Sequence, residues 1–469
     1  MSKNTSKKVA EKVIDKNRRD LLGTGLALGA ITGAAVLNGP RDAQAAPHQA
    51  LGIPASELGL NPSSARDQSG ALQYAIDKAV ERKLPLLLQP GNYIASRITL
   101  RPDTHIIGVP TKTRIIYGGN STFIRANNAQ NINLQGIELN GNGKPLDLSS
   151  GANGLLSLVG CQNLTLKNIH VSGSLVNGID LRNCSGKLSD LTVDNCTNTG
   201  IFSLNGNAIG ISHSTINDCG NNGIQIWASK PVEDGTIISN CHIHNILAKA
   251  GGDGQNGNGI NVFKAGSVTI TANRITDCAF TAIRGNAASN IIMSNNNCAR
   301  LGEVALYAEF GFQGAVISNN LIDQAATGIS VTNFKEGGRL SVVTGNLIRN
   351  LKRRKGSEDA RGIGIGVEAD SVVTGNIIEN AETMGLAIGC GKYMRDVSAT
   401  GNIIRNAQIG IGISAEPIDG LIHVASNMIS GAKKGAIRAM LFDKPTGPDL
   451  INSSAESYRN FALLGNVAS

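Results

Sequence analysis

Aromatic residues are scarce in this chain, 3% of 469 positions, with a single tryptophan. A large globular core built around Phe, Tyr and Trp is therefore excluded. Proline is also sparse at 13 residues, so the chain is not a proline-rich linker protein. No Cys-x-x-Cys occurs among the eight cysteines, which removes the common zinc, thioredoxin and cluster spacings. There is no Gly-rich phosphate loop after a strand and no haem motif, so no cofactor is evident. Beyond residue 45 no apolar run is long enough to span a bilayer. The formal charge of +8 is partly local: residues 1–45 hold eight of the 43 basic and four of the 35 acidic residues, leaving 35 against 31. That mild balance suits an acidic polysaccharide and is too weak to argue for nucleic acid.

Glycine is abundant, at 57 residues, and the apolar share is 41%. Many short strands joined by many turns fit these totals. A repeat confirms the pattern. From Asn177 a phrase recurs: a small turn residue, then Gly or Ala, then a branched apolar residue. It is seen at Asn177-Gly178-Ile179, Thr199-Gly200-Ile201, Asn222-Gly223-Ile224 and Asn258-Gly259-Ile260, and on to Gly435-Ala436-Ile437. Spacings at the Gly/Ala position are 22, 23, 36, 23, 23, 23, 36, 21, 25 and 26. A second phrase between copies ends in Asn-x-Ile, marked by Asn320, Asn346, Asn376, Asn402 and Asn427. A period near 23 with three period-2 stretches is one turn of a parallel β-helix, in which each coil buries its inward residues only by stacking. Leucine-rich repeats share the period but need a Leu frame, which this chain lacks. The expected fold is all-β: a single right-handed parallel β-helix, a solenoid of about a dozen coils. The repeated Asn residues suit left-handed turns, and their stacked amides bond along the rod.

The ends read differently. Residues 1–45 carry basic residues to Arg19, a weakly apolar stretch from Leu21 to Leu37, and Ala43-Gln44-Ala45 before a cut at Ala46. Asn17-Arg18-Arg19-Asp20-Leu21-Leu22 has the form of a twin-arginine signal. The expectation is an exported protein, periplasmic or secreted, with no retained transmembrane segment. Residues 46–68 read as a linker and 69–110 as an N-terminal cap with the first strands. Within the cap, Leu72, Ala75, Ile76, Ala79 and Val80 lie at helical spacing with Ser69 as candidate N-cap. Leu84–Leu88 reads as the first strand and Pro90-Gly91-Asn92 as a turn. Residues 111–441 are the coils. The segment 442–469 loses the repeat and contains Pro445 and Pro448, so it reads as a cap or tail without a straight strand.

The twin-arginine segment, Gln73-Tyr74-Ala75-Ile76-Asp77, Leu88-Gln89-Pro90-Gly91-Asn92-Tyr93 and the stacked coils together resemble the pectin-lyase-like right-handed β-helix proteins. More narrowly they resemble a family of twin-arginine-translocated β-helix repeat proteins that carries no assigned activity. The resemblance runs from Arg18 to about Phe442. For the broad class it implies work on polysaccharides by lyases, hydrolases, esterases or epimerases acting on uronic acids. The Asp-Pro-His-Asp phrase of alginate epimerases, the Gly-His-Gly phrase of polygalacturonases and a calcium-holding Asp cluster are all absent. These absences favour a non-catalytic envelope or glycan-binding protein over an enzyme.

Candidate site residues follow from alternation. If the Ile after each Gly points inward, the next residue and the one two further on point outward. The outward pairs are Asp180 and Arg182, Phe202 and Leu204, Gln225 and Trp227, Asn261 and Phe263, Arg284 and Asn286, Tyr307 and Glu309, Ser330 and Thr332, Gly366 and Glu368. The only Trp lies among them, and flat aromatic faces stack on sugar rings while carboxylates, amides and Arg bind hydroxyl and acid groups. The long loops 229–258 and 333–362 flank the same coils. The face is therefore expected to be a glycan groove, with Asp180, Arg182, Gln225, Trp227, Asn261, Phe263 and Glu368 binding substrate. At its middle Arg284 would hold an acid group, with Tyr307 or Glu309 as general acid or base in a lyase, epimerase or hydrolase. The plainer alternative is an exposed face whose aromatics stack on each other.

Other features have two readings. The cysteines are either an export disulfide set or, at Cys196, Cys219, Cys278 and Cys298, one interior ladder of free thiols, which the small apolar residues at that repeat position favour. His242 and His244 are either a metal pair or two exposed histidines. Gly251–Gly257 reads as a mobile loop, its likeness to a calcium nonapeptide occurring once. Lys352-Arg353-Arg354-Lys355 reads as a solvated basic tip, or as a contact for an anionic polymer or envelope surface.

Overall fold

The structure is a computed structural model that describes residues 52–469 except 63, 253, 333–336, 355–360, 417–419 and 454–457. The export signal, Lys355 and Asp253 lie outside the described residues.

Three strands per turn stack into a parallel β-helix. Face 1 holds strands such as Asn177–Arg182 and Thr199–Leu204, face 2 strands such as Gly186–Ser189, and face 3 strands such as Thr192–Cys196. Face 2 is a sixteen-stranded sheet; faces 3 and 1 join into a 28-stranded one. The junction is direct where one strand turns the corner unbroken, as in Ile377–Ile388 and Ile403–Ser414. The coil-to-coil pairings of the described residues are parallel, and the inward positions stay in register, for example Ile179↔Ile201↔Ile224↔Ile260, with shifts only between Trp227 and Val232 and between Ala381 and Met384. These four inward isoleucines are fully buried and belong to one continuous core.

The Gly of the repeat phrase has a steric cause. A Cβ at Gly223 would stand 2.5 Å from the Gly259 carbonyl of the next coil and 2.8 Å from Ile243 Cγ2. From Gly178 onward the corner between faces 3 and 1 brings backbones too close for a larger residue, so only Gly or Ala (Ala282, Ala305, Ala436) takes that place, whereas the earlier coils hold Phe123 and Leu155 in register with it.

The corner between faces 2 and 3 is held by an amide ladder. Asn346 Oδ1 accepts from Asn320 N at 3.0 Å and from Asn320 Nδ2 at 2.9 Å. Asn346 Nδ2 in turn donates to Asn376 Oδ1 at 2.9 Å and to the Ile317 carbonyl at 3.1 Å. The same links run from Asn273 through Asn296 at one end to Asn427 and Asn466 at the other. Each buried amide thus satisfies groups of three coils.

The ends correct several expectations. Residues from 52 are not a linker: Ile53–Pro54 pairs with Leu86–Leu87 and a 3-10 turn follows at Ala55–Leu58. Helix α1, Ser69–Glu81, is as expected, with Leu72, Ala75, Ile76 and Ala79 buried, while Val80 is only half-buried. Its N-cap position is Gln68, not Ser69, and the Asp67 carboxylate just before it accepts from Ser69 N at 2.8 Å. Gln73 of α1 bonds both the N–H and the carbonyl of Thr99, satisfying an exposed strand end. The strand expected over Leu84–Leu88 is not the first and spans only Leu86–Leu87, and Gly91–Asn92 already belong to a strand, Gly91–Ala95, rather than to a turn. The C-terminal segment keeps the repeat: Phe461–Leu464 stacks on Ile422–Ala425 and Val467–Ala468 on Met428–Ile429. Lys444–Asp449, despite its two prolines, forms an antiparallel strand with Arg438–Leu441; being at an edge, it tolerates the missing N–H groups.

All eight cysteines are free, seven of them buried. Cys196, Cys219 and Cys278 do share one inward position, with Ile246 and Leu301 in register. Cys298 does not: it pairs with Ile275 and Ile322. The displacement arises because Arg300, not Asn297, takes the left-handed corner conformation in its coil (φ 56°).

Candidate functional site

The outward ladder of face 1 is in the expected register. Asp180, Phe202, Gln225, Asn261, Arg284, Tyr307 and Ser330 stack in successive coils. Arg182, Leu204, Trp227, Phe263, Asn286, Glu309 and Thr332 form the parallel ladder beside it. The two ladders divide into an open stretch and a covered one.

The open stretch is aromatic. Trp227 lies between Phe202 and Phe263, with ring centroids 5.7 and 5.6 Å away and planes tilted by 73° and 60°. All three rings are half-exposed. Cations close both ends: Arg182 sits 5.6 Å from the Phe202 ring and Lys264 Nζ 4.7 Å from the Phe263 ring. Trp227 Nε1 donates to Asn261 Oδ1 at 3.2 Å, which fixes the indole. Beneath this strip the polar residues are buried. Asp180 is fully buried and accepts from Arg182 Nε at 3.1 Å. Burial pushes its carboxyl upward against the opposing pull of Arg182. Gln225 Oε1 accepts from Thr199 Oγ1 at 2.6 Å. Asp180, Gln225 and Asn261 therefore support the strip from below instead of lying on its surface.

The covered stretch is charged. Arg284 Nε and Nη2 bond Glu309 Oε1 and Oε2 at 2.6 and 3.0 Å, and Asn286 Nδ2 donates to the same Oε1 at 2.8 Å. The Arg284 guanidinium carbon is 5.3 Å from the Tyr307 ring. The trio expected at the middle of the face is thus brought together, yet Glu309 is 1% exposed and Tyr307 2%. The loop after Leu247 covers the Arg284 side of this stretch. The Gln255 carbonyl accepts from Asn222 Nδ2 and Asn261 Nδ2 at 3.2 and 3.1 Å, and the Gly254 carbonyl from Asn258 Nδ2 at 2.8 Å. Gly254 lies so close to Arg284 that any side chain there would strike Nη1. The loop is tied to the face by its backbone. Arg284 Nη1 is buried and has no hydrogen-bond partner among the described residues.

Glu368 stands apart, two coils beyond Glu309 in the same ladder and buried beside Cys390 and Arg361 in a small cavity of about 70 Å³. Burial, then the Glu368 charge, pushes the Cys390 thiol upward. The rings of His242 and His244 lie 4.6 Å apart and tilted by 39°, and no group of three metal-ligating side chains exists among the described residues. Lys264 and Gln255 are contributors that the sequence pattern missed. Lys264 directly follows an outward aromatic, but Gln255 reaches the face only through the fold of the long loop.

The chain matches the family profile described as right handed beta helix region over residues 153–233 and 232–394. Among solved structures it is similar to the pre-mature gene product 12 of bacteriophage phi29, with a TM-score of 0.53 and 15% identity, covering 95% of this chain and 60% of that one. It is also similar to PfbA, a surface adhesin of Streptococcus pneumoniae (TM-score 0.49, 14% identity, 82% and 91% covered). A third is the A-module of an Azotobacter vinelandii mannuronan C-5 epimerase (TM-score 0.45, 12% identity, 80% and 99% covered). At these identities the likeness is one of fold. Since the matched segment takes up more than half of the chain, the protein belongs to the right-handed β-helix family.

Proposed function

We propose that this protein is an exported glycan-binding β-helix protein whose groove is face 1 and whose partner is an acidic polysaccharide. The observation that carries this reading is the half-exposed strip Phe202–Trp227–Phe263 flanked by Arg182 and Lys264. Aromatic faces supply apolar contact to sugar rings, and the cations at both ends favour carboxylates over neutral hydroxyls.

A second reading, lyase, epimerase or hydrolase chemistry by Arg284, Tyr307 and Glu309, is favoured by their mutual contact. It requires this stretch to open and the ion pair to separate, because Glu309 is buried and spent on Arg284. Export by the twin-arginine route, with cleavage before Ala46 and a periplasmic or secreted product, is part of the proposal and rests on Arg18, Arg19 and Ala43-Gln44-Ala45.

Titrating the Trp227 fluorescence with neutral and acidic polysaccharides tests the groove, since the chain has one Trp. A saturable change with an acidic glycan, lost in Phe202→Ala and Phe263→Ala, supports it. A flat response to every polymer refutes it. Product analysis with the bound polymer then separates binding from turnover, and replacing Arg18 and Arg19 by Lys tests the export route by fractionation.

A further inference from the structure

Face 3 changes character along the rod. Its strands are short and show two outward residues two positions apart, as Leu347 and Arg349 do in Leu347–Leu351. The first of each pair stack into one ladder. From Arg114 through Glu138, His170 and Arg274 to Asn297, each rung of that ladder is polar or charged. From the next coil the rungs are Leu321, Leu347, Ile377, Ile403 and Met428. Leu321, Leu347, Ile377 and Met428 are exposed, and Ile403 is half-exposed. Scattered exposed aliphatic residues are ordinary on a soluble protein, but an unbroken row is the mark of a contact surface. The bordering corner offers no cover. It turns through Gly345, Gly375 and Gly401, at φ of 66°, 64° and 63°, and a Cβ at Gly375 or Gly401 would meet no atom within 4 Å.

The second outward ladder identifies the partner. Beside Leu321, Leu347, Ile377 and Ile403 stand Asp323, Arg349, Glu379 and Arg405, stacked in register. Ala299 and Ser430 close the series at its two ends and carry no charge. Along the rod the signs run minus, plus, minus, plus, so the series is complementary to its own reverse. Asp323 and Arg349 also pair within the chain at 2.9 Å, while Arg405 is exposed and Glu379 half-exposed.

We propose that face 3 between Leu321 and Ser430 is where two copies of this chain associate, antiparallel and face to face. The two-fold axis runs along the strands, between the coils of Arg349 and Glu379. Such an axis keeps each ladder opposite its own copy and reverses its order. Leu321 then meets Ile403 of the second copy, and Leu347 meets Ile377. Asp323 meets Arg405, and Arg349 meets Glu379. By symmetry each of these contacts forms twice. Sliding one copy by a single coil puts Arg349 or Glu379 against itself, which like-charge repulsion disfavours. A two-fold axis along the rod would set the two charge rows on opposite sides of the contact and pair none of them. Coils lie about 4.8 Å apart, so the paired rungs cover roughly 15–20 Å of rod. That is small for a permanent dimer and fits a weak, reversible one. The association does not depend on what face 1 binds.

The test is sedimentation velocity of the full chain between about 1 and 200 μM, with melting curves to check that each variant stays folded. The native chain is expected to shift from monomer to dimer across that range. Leu347→Ser/Ile377→Ser is expected to weaken dimerisation at least tenfold. Glu379→Arg and Arg349→Glu, each made alone, are expected to do the same, because each sets two like-charge pairs across the contact. In an equimolar mixture of these two variants every facing pair is again of opposite sign, so the mixture is expected to dimerise about as the native chain does. A native chain that stays monomeric, a dimer that Leu347→Ser/Ile377→Ser leaves untouched, charge variants that self-associate like the native chain, or a mixture that stays monomeric would each overturn the proposal. The charge variants leave the aliphatic row intact, so they decide the matter even where Leu347→Ser/Ile377→Ser fails to fold.

Discussion

Arg284 and Glu309, on adjacent coils, form a two-pronged ion pair whose acid is sealed from water, with side-chain exposures of 11% and 1%. Burial works against the charge on Arg284, but the Glu309 carboxylate and its hydrogen bonds prevail and hold its pKa above the usual value. Such a pair is costly to break from one side, because the remaining charge is buried alone. Glu309→Ala is expected to destabilise the protein by about 3 kcal/mol, and Arg284→Met/Glu309→Leu to recover most of that loss. Urea unfolding of the three variants measures it. A loss below about 1 kcal/mol in Glu309→Ala would show that water reaches the pair.

The amide ladder is expected to be equally intolerant of gaps. Asn346→Ala removes the acceptor of Asn320 N and Nδ2 and the donor to Asn376. Each orphaned buried group costs about 1–3 kcal/mol, so a total near 3 kcal/mol is expected, against less than about 0.5 kcal/mol for Ala at the exposed Lys433. Denaturant midpoints for both variants decide the matter.

His170 on face 3 bridges two acids, with Nε2 2.7 Å from Asp194 Oδ2 and Nδ1 3.8 Å from Glu138 Oε2. The hydrogen bond to Asp194, offset in part by burial, raises the imidazole above 6.5. For Asp194, burial pushes upward, yet the bonds from His170 and Asn195 prevail and lower it below 3.8. A raised histidine stabilises fully below its unfolded value and loses that contribution as pH rises through the folded one. The lowered aspartate contributes above its unfolded value. The stability gap between the native chain and His170→Gln is therefore expected to be widest between the two ordinary values, 3.8 and 6.5, and to narrow toward pH 8. Thermal melts across that range report it; a gap that widens above neutrality would contradict the pairing.

Thiol chemistry should single out one cysteine. Burial pushes Cys241 up to about 11 and Cys298 to about 12, whereas Cys390 alone is half-exposed. A disulfide reagent at pH 8 is expected to label one thiol rapidly in the folded chain and eight after denaturation. Mass mapping that found Cys196 bridged to Cys219 would overturn the free-ladder reading.

Much of the architecture was legible because a solenoid makes tertiary contacts periodic. Residues one coil apart in space lie about 23 apart in sequence, so the inward isoleucines, the small corner residues and Asn320–Asn427 all announce their places. The same logic put Arg284, Tyr307 and Glu309 on one face in the right register. It failed where the period breaks. Cys298 was misplaced because Arg300 stands at a corner where Asn or Asp is usual. The last strands were missed because 39 residues separate Asn427 from its ladder partner Asn466.

The amino-acid pattern by itself determined the coil, its core and the direction of each strand residue, since alternation and stacking are local rules applied repeatedly. It did not determine which outward residues meet solvent. That was decided by the long excursions, whose paths depend on contacts across many coils. The 254–258 backbone lies against Arg284, while Phe202, Trp227 and Phe263 remain half-exposed. Arg354, bonded to the Ala279 and Gly302 carbonyls 75 and 52 positions away, folds a basic tip back along the rod. No periodicity encodes such contacts, because they join residues through shape and hydrogen-bond geometry that exist only once the coils have stacked.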